Sequence, residues 1–114
     1  MSKRSNSEYL ADILEAAKRI ISYCQDINYA AFMKNRIIQD AVVRNFEIIG
    51  EASKNISSDF SQKYPQIPWN DFAKVRDKLI HHYFGVNLDI VWSIIETSLP
   101  QLRKHLTEII KKIS

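Results

Sequence analysis

Leu10-Ala11-Asp12-Ile13-Leu14-Glu15-Ala16-Ala17-Lys18-Arg19-Ile20-Ile21-Ser22-Tyr23-Cys24 is the stretch on which the fold class turns. Leu10, Ile13, Leu14, Ala17, Ile20, Ile21 and Cys24, followed by Ile27, recur at steps of three and four, the spacing that lines one face of an α-helix. Ser5 and Glu8 stand just ahead with capping-box spacing, so this helix has a start signal as well as a stripe. A second stripe of Ile37, Ile38, Ala41, Val42, Phe46, Ile49 and Ala52 predicts a helix over about 31–52. The break near Asn28 is short, which predicts antiparallel packing of the two. Gly50 lies inside the second helix, where glycine costs about 1 kcal/mol relative to alanine, so a close approach of helices is the plain reading.

Outward from these helices, 56–68 is polar and proline-bearing and predicts a crossover loop, with Pro68 fit for the first turn of a third helix that Trp69 begins. That helix turns Phe72, Val75 and Leu79 to the core and should end by Gly85, with Asn87 capping a fourth through Ile90, Val91, Ile94 and Ile95. Pro100 either kinks the fourth helix or opens a fifth carrying Leu102, Leu106, Ile109, Ile110 and Ile113. The expectation is an all-α, antiparallel bundle of four to five helices in a single domain spanning 1–114. Composition agrees: 114 residues at 46% hydrophobic content suffice for one core, and Gly 2 with Pro 3 is sparse for tight β-hairpins.

Composition also narrows the chemistry. The net charge of +3 permits an acidic partner such as RNA without demanding one. Arg103, Lys104, Lys111 and Lys112 outnumber Glu108 near the C-terminal end, which reads first as a solvated helix face and second as a phosphate contact. Cys24 is the only cysteine, so a cysteine zinc site and an intrachain disulfide are excluded and the residue reads as a small buried hydrophobe. No apolar run approaches the roughly 20 residues of a membrane span, and 1–7 lacks the apolar region of a signal peptide, so the expected compartment is the cytoplasm. His81, His82 and His105 do not form the helical ligand pairs of a metal site, and neither a glycine-rich phosphate loop nor a GxSxG turn is present. No metal and no cofactor are expected.

Chemistry concentrates on the third helix. On an ideal helix Arg76 lies about 40° from Phe72, whereas His81 falls on the side opposite the core stripe. An exposed histidine often does nothing, but Asp77 precedes His81 by one turn, where its carboxylate would orient the imidazole. Arg76 supplies a permanent two-pronged phosphate ligand. Cleavage of RNA through its 2′-hydroxyl needs a proton-transfer group and a cation for developing charge, and histidine with arginine provides both without metal. The two residues are nevertheless about 140° apart around one helix, so either the helix distorts near His82 or two copies meet to complete a shared cleft, and the dimer is the preferred solution.

Arg76-Asp77-Lys78-Leu79-Ile80-His81-His82-Tyr83 resembles the Arg-x4-His-x-Tyr motif of the HEPN superfamily, in its HepT toxin branch. Asp40-Ala41-Val42-Val43-Arg44-Asn45-Phe46-Glu47-Ile48-Ile49-Gly50-Glu51-Ala52, Tyr64-Pro65-Gln66-Ile67-Pro68-Trp69 and Tyr83-Phe84-Gly85-Val86 resemble further blocks of that branch, in order. The resemblance implies a helical-bundle homodimer that cleaves RNA without metal. It further implies a minimal nucleotidyltransferase antitoxin that silences it by adenylylating the motif tyrosine. By position, cleavage falls on Arg76 and His81 and modification on Tyr83; Asp77 keeps its supporting role from its spacing to His81, and Arg44 and Glu51 are candidates for the cleft border. Asp77 departs from the asparagine that commonly follows the motif arginine and adds negative charge beside the phosphate site. The competing reading is a noncatalytic nucleotide-binding or scaffold domain that recruits the nucleotidyltransferase.

Overall fold

A computed structural model describes residues 4–81 and 87–114, apart from the side chains of Arg76 and of residues 78–81. Its elements are α1 (Asn6–Tyr23), α2 (Tyr29–Lys34), α3 (Arg36–Asn55), α4 (Ser58–Lys63), α5 (Trp69–His81), α6 (Leu88–Glu96) and α7 (Ser98–Ile113), with no strand among the described residues. The all-α expectation is met. The long helices are the expected ones; of two short helices of six residues, α4 is added within the expected loop and α2 is split from the start of the expected second helix.

α1 begins where the capping box placed it: the Ser5 hydroxyl accepts from the Glu8 amide, and the Glu8 carboxylate accepts from the Ser5 amide at 3.4 Å. It ends at Cys24, and Asp26 then takes φ 64°, a left-handed conformation that aspartate tolerates better than most residues because its short side chain bonds locally. The predicted helix over about 31–52 is divided instead at Asn35. That residue closes α2 and caps α3, its side-chain oxygen accepting from the Ile38 amide at 3.0 Å. Asn28 caps α2 in the same manner, through the Ala31 amide at 2.8 Å. The division redirects the start of α3, which leaves Ile37 82% exposed although it belongs to the periodic stripe.

The expected crossover loop contains α4, capped by Ser57 through the Phe60 amide. Asn6 ties this turn to α1, donating to the Ser57 hydroxyl and accepting from the Ser57 amide, each at 3.0 Å. Phe60 packs on Tyr64 at a tilt and edge-on to Trp69 beneath the crossover, and the Trp69 indole N–H donates to the Tyr64 carbonyl at 3.0 Å. Trp69 therefore opens α5 as an anchor.

Asn87 caps α6 as expected, accepting from the Asp89 and Ile90 amides. α6 and α7 are separated by Thr97 alone, and Pro100 occupies the first turn of α7, where its missing N–H has no intrahelical partner to lose. The expected end of the motif helix at Gly85 lies outside the described residues.

α3 is central: it packs on α1 along one side and α5 along another, while α7 lies on α1 and α6, and α2 bridges α3 to α6. The core takes Leu10, Ile13 and Ile20 from α1, Val42, Phe46 and Ile49 from α3, and Leu99, Leu102, Leu106 and Ile109 from α7. Gly50 is buried on α3, in keeping with close helix approach, and Cys24 is buried with its thiol pKa pushed up by desolvation. Phe32 docks α2 by packing on Trp92 of α6 at 5.1 Å between ring centroids.

Candidate active site

α5 carries the cluster singled out in the sequence. Phe72 is buried, Val75 packs against the core, and Trp69 is buried one turn earlier, which orients this helix toward α3. Lys74 and Asp77 are exposed, so the opposite arc of α5 faces solvent. By backbone register Arg76 lies between the arcs of Phe72 and Trp69, one turn further along, while His81 lies on the solvent arc with Asp77. α5 is helical without interruption from Trp69 to His81, so the separation of about 140° between the Arg76 and His81 positions stands in the backbone. Tyr83 and His82 lie outside the described residues.

Arg44 and Glu51, the candidate border residues, are two turns apart on one polar stripe of α3 with Glu47 between them. They line a hollow of about 250 Å³ whose other wall is Arg4, Tyr9 and Asp12, on and just ahead of α1. Arg44 is 70% exposed at its side chain and approaches Glu47 at 3.4 Å. The structure thus joins Arg44 and Glu51 to the α1 end of the molecule, and no described residue of α5 lines that hollow.

The Arg4 group was not anticipated. Arg4 reaches Asp12 at 2.6 Å and Glu8 at 3.3 Å and lies 5.1 Å over the Tyr9 ring. Bonds to Asp12 and then Glu8 raise the guanidinium pKa, while the Ser5 amide and then Arg4 hold the Glu8 carboxyl below its ordinary value. Its signal in the sequence is the spacing of Arg4, Glu8 and Asp12, which places three charged groups on one line at the start of α1.

Also missed was the link between Tyr29 and Asp89, whose hydroxyl-to-carboxylate hydrogen bond joins α2 to the first turn of α6. The acceptor raises the Tyr29 pKa by favouring the protonated phenol. No local pattern announces a contact across this sequence distance. Among the described residues no group of three or more His, Cys, Asp or Glu is arranged to hold a metal ion, and no helix is long and apolar enough to cross a membrane.

Comparison with known proteins gives this helical frame a family. A family model described as ribonuclease HepT-like matches residues 13–109. A protein of Methanocaldococcus jannaschii named as a candidate RNase is 48% identical over 113 residues, 99% of this chain and 93% of its own length. A candidate ribonuclease HepT of Thermococcus cleftensis is 46% identical over 101 residues, 89% of this chain and 92% of its own. A candidate RNase of Caldanaerobacter subterraneus is 42% identical over 104 residues, 91% of this chain and 93% of its own. No solved structure matches. The match runs from Ile13 in the core of α1 to Ile109 in the core of α7, through the helix that bears Arg76 and His81, and the chain belongs to the HepT-like ribonuclease family.

Proposed function

We propose that this chain is a metal-independent endoribonuclease toxin that cleaves RNA at a cleft shared by two copies. The observation that carries the reading is the order Arg76-x4-His81-x-Tyr83 on and beyond the helix that α3 holds in place, in a chain whose HepT-like match covers residues 13–109. His81 takes the proton of the RNA 2′-hydroxyl as that oxygen bonds to the adjacent phosphorus. The bond from phosphorus to the 5′-oxygen breaks, and a proton returned to that oxygen completes the step. Arg76 holds the phosphate in two-pronged contact and stabilises its developing charge. Asp77, one turn before His81 and exposed, keeps the imidazole oriented. The angular separation on an uninterrupted helix supports a cleft that takes Arg76 from one copy and His81 from the other.

Silencing follows from the same site. A nucleotidyltransferase antitoxin transfers adenylate from ATP to the Tyr83 oxygen with release of pyrophosphate, and the new phosphodiester competes with RNA for Arg76.

Cleavage of unmodified RNA in EDTA, with the products separated by end group, tests the reading. The expected product is a 2′,3′-cyclic phosphate. His81→Ala should lose about 10²- to 10⁴-fold through loss of proton transfer. Arg76→Ala should lose a comparable factor while remaining helical. Full activity in either variant, or an absolute requirement for Mg²⁺, would overturn the mechanism.

A further inference from the structure

We infer that the outward face of α7 is the surface along which single-stranded RNA lays its phosphate backbone, a reading that rests on the ribonuclease function proposed above. α7 holds four of the sixteen basic side chains and one of the thirteen acidic ones. The rest of the chain balances at twelve of each, so this one helix carries the whole net charge of +3.

The arrangement is directional. Leu99, Leu102, Leu106 and Ile109 turn inward onto the core. Lys104 and Lys111 are seven residues apart, nearly in line on the opposite side and separated by about 10 Å along the axis. Arg103 flanks this line near its start, and Lys112 flanks it on the other side near its end. All four are exposed, and none has a carboxylate within ion-pair distance among the described residues. Glu108, the single acid of the helix, is also exposed and lies within this face, about 50° from the line of Lys104 and Lys111 and one turn from Lys104, Lys111 and Lys112, so four cations outnumber one carboxylate there.

Of the two helices that pack on α7, α6 brings Asp89, which accepts from Tyr29, and the exposed Glu96 at its end, and α1 brings carboxylates that are already paired. On α1, which packs on α7, Glu8 and Asp12 are engaged by Arg4 and Glu15 by Arg19. Unpaired cations on a rigid helix release counterions when they meet a polyanion, and that release supplies sequence-independent affinity. Phosphate binding of this kind is sequence-independent and leaves the choice of cleavage point to the site proposed on α5, which packs on α3 while α7 packs on α1 and α6.

The test compares two full-length variants of equal net charge. One is R103Q/K104Q/K111Q/K112Q on α7, and the other is K18Q/K34Q/K54Q/K63Q, four exposed lysines elsewhere. Binding of a fluorescein-labelled 2′-O-methyl RNA strand, which no 2′-hydroxyl attack can cleave, is followed by anisotropy across a salt series. In the α7 variant the slope of log affinity against log salt should become shallower by about 0.7 for each phosphate that is no longer neutralised, up to about 3 in all. The control variant should keep most of the wild-type slope. A wild-type slope in the α7 variant, or an equal decrease in the control, would overturn the assignment. Failure of the ribonuclease reading has a different signature, in which the wild-type chain leaves unmodified RNA uncut whatever the state of α7.

Discussion

Glu8 performs two tasks with one carboxylate: it closes the capping box on the Ser5 amide and it accepts from Arg4, and these partners hold its pKa below the ordinary 4.5. A carboxyl lowered on folding stabilises the native state above its unfolded pKa, and the contribution is lost as pH falls through the folded value. Glu8→Gln should therefore melt below wild type at neutral pH, and the difference should vanish well below pH 4.5, where both side chains are neutral. Thermal melts across that range check the sign. Tyr83 poses the other question at this scale, because regulation is proposed to act on one oxygen atom. Tyr83→Phe should still cleave RNA yet take no adenylate from a nucleotidyltransferase of the kind proposed above and ATP, as read by mass spectrometry and a cleavage assay. Adenylate found on another residue would defeat that assignment.

Among the elements, the division between α2 and α3 is the feature that hydrophobic periodicity hides. Ile37, Ile38, Ala41 and Val42 continue the stripe without pause, so only the capping chemistry of Asn35 marks the break, and asparagine within a periodic run is easily read as a tolerated residue. α4 was missed for the opposite reason, since Ser58–Lys63 has one apolar side chain, the half-buried Phe60, and no apolar stripe to announce it. Where a cap coincides with the edge of a stripe, as at Ser5 and Asn87, the boundary was legible. The candidate site could be read only as residue types in order on α5, not as a place, because its surroundings depend on which helices α5 meets, and no local pattern in the sequence specifies that packing. Asn35→Ala should cost about 1 kcal/mol by leaving the Ile38 amide without its cap. Phe32→Ala should cost about 3–5 kcal/mol, because it removes the ring that docks α2 on Trp92. Denaturant unfolding separates the two, and a smaller effect for Phe32→Ala than for Asn35→Ala would show that α2 is held by something other than that ring.

For the molecule as a whole, the position of Arg76 on the core-side arc of α5 and of His81 on its solvent arc poses a choice between two architectures. If each chain builds its own site, both residues of that site belong to one copy. If two copies share, a two-fold axis gives two clefts, each with Arg76 from one chain and His81 from the other. Mixing Arg76→Ala chains with His81→Ala chains distinguishes these cases. In the shared arrangement, one cleft of every mixed dimer loses both groups and the other keeps both intact. Random exchange makes about half of the dimers mixed, and one of their two clefts is intact, so activity should return to about a quarter of wild type at equal chain concentration. In the single-chain arrangement every site lacks one group, and mixing two inactive proteins yields an inactive mixture. Light scattering at micromolar concentration should report a dimer for wild type and for both variants, which makes an inactive mixture interpretable. Recovered RNA cleavage that grows as the two variants exchange is the expected outcome. Persistent inactivity in a fully exchanged dimer would place Arg76 and His81 in one chain and require the backbone to turn His81 toward Arg76.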